Sequence, residues 1–187
     1  MSRSEDRPEN MNRRRPDREA PPGRSIRPAY SRYRRTWYGY GRQARVEKSR
    51  FGCVLDDATY AFGDVSLAGL PVLFGIMVTG QLDVQGATLS AWATMVLIVT
   101  VLRGGWIRPL ATETRGWVSV TPSLILLRVV YYNLTLFVAT YGGFVIASSM
   151  GLSMTVGSFG LAVAVGAGAM MAFPRLAERY AGRLQKS

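Results

Sequence analysis

An all-α fold is predicted for this chain of 187 residues: a four-helix transmembrane bundle, built as two antiparallel hairpins and preceded by a disordered, Arg-rich N-terminal arm. Three observations predict it. Residues 65–102 contain a single charged side chain, Asp83, and residues 129–174 contain none; apolar stretches of that length read as membrane spans. Each stretch is broken once, by Gly80–Gly86 and by Ser148–Ser153, so each divides into two helices. The charge is also segregated: residues 1–50 hold 15 basic and 6 acidic side chains, which is +9 of the net +11.

The arm, residues 1–50, comes first. From Met1 to about Pro28 it is rich in Arg, Pro, Glu, Asn and Ser, and such a segment buries too little apolar surface to offset the entropy of ordering. No apolar core follows Arg13-Arg14-Arg15 at signal-peptide distance, so neither a cleavable signal nor a twin-arginine signal fits. Between residues 27 and 50 basic side chains alternate with aromatics, and Arg32, Arg34, Arg35, Trp37, Arg42 and Arg45 form a candidate lipid- or polyanion-binding set. Guanidinium groups attract phosphates and stack on rings, and a polybasic segment beside a span attracts anionic headgroups. The same mixture suits nucleic acid or an acidic protein partner, and a plain topology signal would need the same Arg excess.

A juxtamembrane segment, 51–57, leads to the first span, 58–79, with Asp56 and Asp57 as carboxylates favoured at a helix start. The second span is 87–102. A loop with Arg103, Arg108, Arg115, Trp106 and Trp117 precedes the third, 122–147, which opens on Thr121-Pro122 as a cap and a first-turn proline. The fourth, 155–173, is expected to stop at Pro174, and the basic tail 174–187 would suit a short surface helix. With the N-terminus inside, 22 of the 23 basic residues lie on the internal side and the last, Arg128, lies at the internal end of the third span. Four spans with both termini inside are therefore expected. The Asn133-Leu134-Thr135 sequon then lies at membrane depth and is not a glycosylation site.

Within the bundle, small residues recur every four positions: Thr135, Ala139, Gly143 and Ala147 in the third span, Gly160, Ala164, Gly168 and Ala172 in the fourth. Between lipid-embedded helices close contact comes from small residues, so these ridges are expected to pack the two spans together; a homo-oligomer or membrane-protein partner is the other reading. Asn133, Thr140 and Tyr141 should turn inward or bond a neighbouring helix. Asp64 and Arg128 are each the seventh residue of a helix running outward, about 10 Å from its internal end. Equal depth suggests an intramembrane pair; the alternative is that each snorkels to the interface by itself. Pro71 frees the Leu67 carbonyl and should kink the first span, for packing or for a gate. Cys53 is either an inert thiol or an acylation site.

The absence of His and the single Cys leave little for base catalysis or metal binding. A non-enzymatic structural or organising protein without cofactor or metal, in a cell or virion membrane, is the expected class. The alternative is a small channel, transporter subunit or export accessory protein, which should show intramembrane charges and broken helices.

Overall fold

The computed structural model describes residues 33–38, 42–110, 116–118, 122–149, 151 and 154–184. Among the described residues, four helices are long and apolar enough to cross a membrane, by length and composition. Their outward faces carry large apolar side chains such as Leu67, Phe74, Leu97, Leu126 and Val145, each more than half exposed, the pattern of a bundle whose solvent is itself apolar.

Ahead of the bundle, β1 (Tyr33–Tyr38) and β2 (Arg42–Glu47) pair as an antiparallel hairpin, with Arg35 opposite Arg45 and Trp37 opposite Gln43. The sequence reading places no regular element there. Residues 1–32, on which most of the expected disorder falls, lie outside the described residues, and so does Arg32.

Helix α1 spans Arg50–Thr79. Its start is Ser49, whose Oγ accepts from the Gly52 amide at 3.1 Å, so Asp56 and Asp57 lie within the helix instead of opening it. The segment 51–57 is helical too, and α1 reaches about 45 Å, some 15 Å more than a hydrocarbon core requires. Helix α2 (Leu82–Arg103) begins only two residues after α1 ends, which makes the turn shorter than the seven residues expected. The Gln85 side chain makes this tight joint workable: its amide donates to the carbonyls of Met77 (3.0 Å) and Gly80 (3.2 Å), two acceptors at the end of α1.

The third span is α3 (Pro122–Phe137), a π-helical turn (Val138–Gly142) and α4 (Gly143–Ser149). The fourth, α5 (Met154–Leu184), runs through Pro174 and absorbs most of the tail expected to form a separate surface helix. A proline inside a helix leaves acceptors of the preceding turn without their usual donors. Here the Leu110 amide, from the loop after α2, donates to the Met171 carbonyl at 3.0 Å. Pro71 is handled in the same way from another direction. The Asn133 carboxamide donates to the Ala68 carbonyl at 2.7 Å and accepts from the Val72 amide at 2.9 Å, so it spans one rung of α1 beside the proline. In each helix the carbonyl three residues before the proline takes a donor from a different element.

Around the bundle the order is α1, α2, α5 and the third span, with α1 and α5 on one diagonal. On the third span Ala139, Gly143 and Ala147 are all buried. A Cβ on Gly143 would come within 3.1 Å of the Ser158 carbonyl. The matching ridge on α5 does not face them: Gly160, Ala164, Gly168 and Ala172 are exposed, and a Cβ on Gly160 or Gly168 would touch nothing. α5 instead turns inward Ser158, Ala162, Gly166, Met170 and Phe173, and Gly166 lies against the Ala91 carbonyl of α2. Two four-residue ladders run along the same helix, and packing against α2 selects the one that ends in the bulky Met170 and Phe173.

Candidate functional site

The charged side chains buried among the described residues, Asp57, Asp64 and Arg128, lie toward the end where α1 and α3 begin. Asp64 on α1 and Arg128 on α3 form an ion pair through Oδ2 and Nη1, with side chains 6% and 2% exposed. Of the two readings left open by the sequence, the geometry is that of the pair. Asp64 Oδ2 also accepts from Trp117 Nε1 (3.1 Å) and from the Tyr132 hydroxyl (3.2 Å), so donors from the α2–α3 loop and two turns of α3 converge on one carboxylate oxygen. Arg128 Nη2 donates to the Val118 carbonyl at 2.6 Å. A buried charge is tolerated only when paired and hydrogen-bonded, and both conditions hold here with a single exception: Arg128 Nε has no hydrogen-bond partner.

Aromatic packing closes the cluster from the α5 side. Phe173 lies 5.3–5.4 Å from the rings of Trp117, Tyr131 and Tyr132 and 5.6 Å from the Arg128 guanidinium. The Tyr131 hydroxyl donates to the Ala169 carbonyl of α5 at 2.9 Å. One site thus ties α1, the α2–α3 loop, α3 and α5 together.

A second pair lies two turns closer to the helix start. Arg103, the last residue of α2, donates through Nε to Asp57 Oδ1 at 3.0 Å and stacks 3.6 Å from the Tyr60 ring centroid. Asp57 is 1% exposed. The sequence reading used Asp57 only as a helix-starting carboxylate; its equal depth with Arg103, the argument applied to Asp64 and Arg128, would have exposed the pairing. Lys48 reaches Asp56 at 2.8 Å in a more open pair.

Beside the buried pair a lateral groove of about 470 Å³ opens between α1 and α3. Its walls are Gly63, Leu67 and Ala68 on one side and Ile125 and Val129 on the other, with Thr59 and Tyr60 at the same end as the Asp57–Arg103 pair and Asp64 and Arg128 also in its lining. Deeper in the bundle the Thr88 and Thr140 hydroxyls, both buried, are 2.9 Å apart and join α2 to the π-helical turn. Of the polar residues flagged on the third span, Asn133 and Thr140 do bond neighbouring helices, while Tyr141 is 41% exposed and packs on Phe137.

The remaining candidates divide. Arg34, Arg35, Trp37, Arg42 and Arg45 lie on the hairpin strands. Ala139 and Gly143 are in a helix interface; Gly160, Ala164 and Gly168 are on an outward face. Sequence reasoning missed Trp117, which it placed only in the loop before the third span, along with Tyr132, Val118 and Phe173. Only the fold of the loop and the rotation of α5 bring these to Asp64.

No curated protein and no solved structure matches the chain. The family described as a domain of unknown function, DUF8215, matches residues 48–180. That match begins just before the Ser49 cap and ends in the last turns of α5, so it takes in every residue of the cluster and the groove and leaves most of the arm outside. By this match over more than two thirds of its length, the chain belongs to the DUF8215 family.

Proposed function

We propose that the protein is a non-enzymatic, multi-pass membrane anchor with both termini on the internal side, whose basic arm contacts the anionic headgroups of the bilayer in which it sits. The observation that carries this reading is how the paired charges of the helices are used. Asp64 with Arg128, and Asp57 with Arg103, join helices to one another, which is the arrangement of a bundle held in one shape. The basic hairpin leads within two residues into α1, so its arginines stay close to the headgroup layer, where each Lys or Arg contributes about 1 kcal/mol of attraction to anionic lipid.

Limited trypsin digestion of the full chain in nanodiscs tests the arm. Cleavage after Arg34, Arg35, Arg42 and Arg45 is expected to slow in phosphatidylglycerol discs relative to phosphatidylcholine discs. About 0.5 M salt should remove the difference, since the Debye length then falls to about 4 Å. Equal cleavage in both lipids would reject headgroup contact, and protection by added DNA in neutral discs would assign the arm to nucleic acid instead.

Pro71 and the π-helical turn favour a second reading, a small channel, transporter subunit or export accessory protein, because broken helices recur where membrane helices move. A liposome flux assay on the purified protein separates the two.

A further inference from the structure

We propose that the groove between α1 and α3 is a binding site for one phospholipid. In this assignment an acyl chain lies along Gly63, Leu67 and Ala68 against Ile125 and Val129, and an ester or phosphate oxygen accepts from Arg128 Nε. The assignment rests on the membrane-spanning reading of the bundle and is separate from the action of the arm.

Three observations meet at this place. The groove is open sideways, between helices whose flanking side chains Leu67 and Ile125 are exposed and apolar, so its mouth faces the hydrocarbon. Its volume of about 470 Å³ and its mostly apolar lining suit a chain of methylenes. Arg128, one of the lining residues and 2% exposed, carries the one buried side-chain donor without a partner among the described residues. A buried N–H without an acceptor is costly; Nε is itself closed off from the groove, so a lipid oxygen becomes its acceptor when the guanidinium shifts toward the groove.

Depth agrees with this. Counting 20 residues, about 30 Å, back from the end of α1 at Thr79 puts the internal hydrocarbon boundary near Thr59 and Tyr60, at one end of the groove. Glycerol ester groups lie at that boundary, and the groove continues from there into the apolar layer. Because Asp64 neutralises Arg128, the site asks for an oxygen acceptor and an acyl chain, with no preference for headgroup charge.

The site is tested by native mass spectrometry of the purified full chain after exchange into detergent with added phosphatidylcholine or phosphatidylglycerol. One lipid per chain is expected, with the two lipids bound alike. Gly63→Phe, at a position where an added Cβ meets nothing, fills the groove and should lower occupancy roughly tenfold or more. Gly168→Phe, on the open face of α5, should leave it unchanged. Equal occupancy in the Gly63→Phe and Gly168→Phe variants overturns the proposal, as does binding of phosphatidylglycerol alone.

A measurement on the unaltered protein stands beside the variants: photo-crosslinking in nanodiscs with a diazirine-bearing phosphatidylcholine. Adducts concentrated at residues 59–68 and 125–129 support the site; adducts spread evenly over the outward faces of all four spans reject it while leaving the membrane reading intact. A protein that takes no label in any span removes that reading as well.

Discussion

At the scale of single residues, Asp64 is the most constrained side chain. It accepts from Arg128, Trp117 and Tyr132, and the rings of Trp117 and Tyr132 in turn pack on Phe173. Removing one partner of a buried ion pair leaves the other charge uncompensated, at about 3–5 kcal/mol. Asp64→Asn and Arg128→Gln are each expected to lower stability by an amount of that order, and the double change by less than the two added together. The measurement is a double-mutant cycle on unfolding in mixed micelles; a double variant as costly as the summed singles would show that the two groups do not act on each other. The pair was legible in the sequence as far as depth, because each residue is the seventh of a parallel helix. Its surroundings were not. Trp117 lies in the loop ahead of the third span, where a tryptophan reads as an interfacial anchor, and only the path of the α2–α3 loop carries its indole to Asp64.

At the scale of elements, both prolines are accommodated by donors from elsewhere in the fold. Asn133 bridges Ala68 and Val72 beside Pro71, and the Leu110 amide reaches Met171 before Pro174. Asn133→Leu leaves buried backbone groups of α1 without partners and is expected to cost about 1–3 kcal/mol. In a Pro71→Ala background α1 can close its own ladder, so the same substitution should cost clearly less; thermal unfolding of the four proteins of this cycle checks it, and an unchanged cost would separate Asn133 from the proline. The rotation of α5 makes a second prediction. Gly166→Leu forces a side chain onto the Ala91 carbonyl and is expected to destabilise or unfold the bundle, whereas Gly168→Leu, two residues away, should be close to neutral by the same measurement. The sequence shows small-residue ladders on the third and fourth spans but not which ladder of α5 is buried. Glycine and alanine recur on several faces of that helix, and the choice is made by the shape of α2.

For the whole molecule, the N-terminal turns of α1 and the C-terminal turns of α5 extend past the Asp57–Arg103 pair and Pro174 at the same end of the bundle. The end of α5 and the α2–α3 loop hold five of the eight basic residues outside the arm, and Arg103 ends α2 beside them, which motivates the assignment of that end to the internal side. The orientation is checked with a membrane-impermeant maleimide on intact cells. Cys53, the sole cysteine, should stay unlabelled until the cells are opened, and Leu82→Cys in a Cys53→Ser background should react from outside, since Leu82 is 85% exposed at the opposite end. The reverse pattern would invert the topology.

The sequence by itself determined the number of apolar spans and the segregation of charge, because hydropathy and charge are summed along the chain and need no knowledge of neighbours. It also placed Asp64 and Arg128 at one depth, since helical rise converts position into distance. Only the tertiary structure decided that they meet, that Asp57 is held by Arg103, that α5 turns Gly166 inward and Gly160 outward, and that Asn133 mends the break at Pro71. These depend on how each helix is rotated about its axis and on the path of one loop, and both are settled by packing among all the elements together.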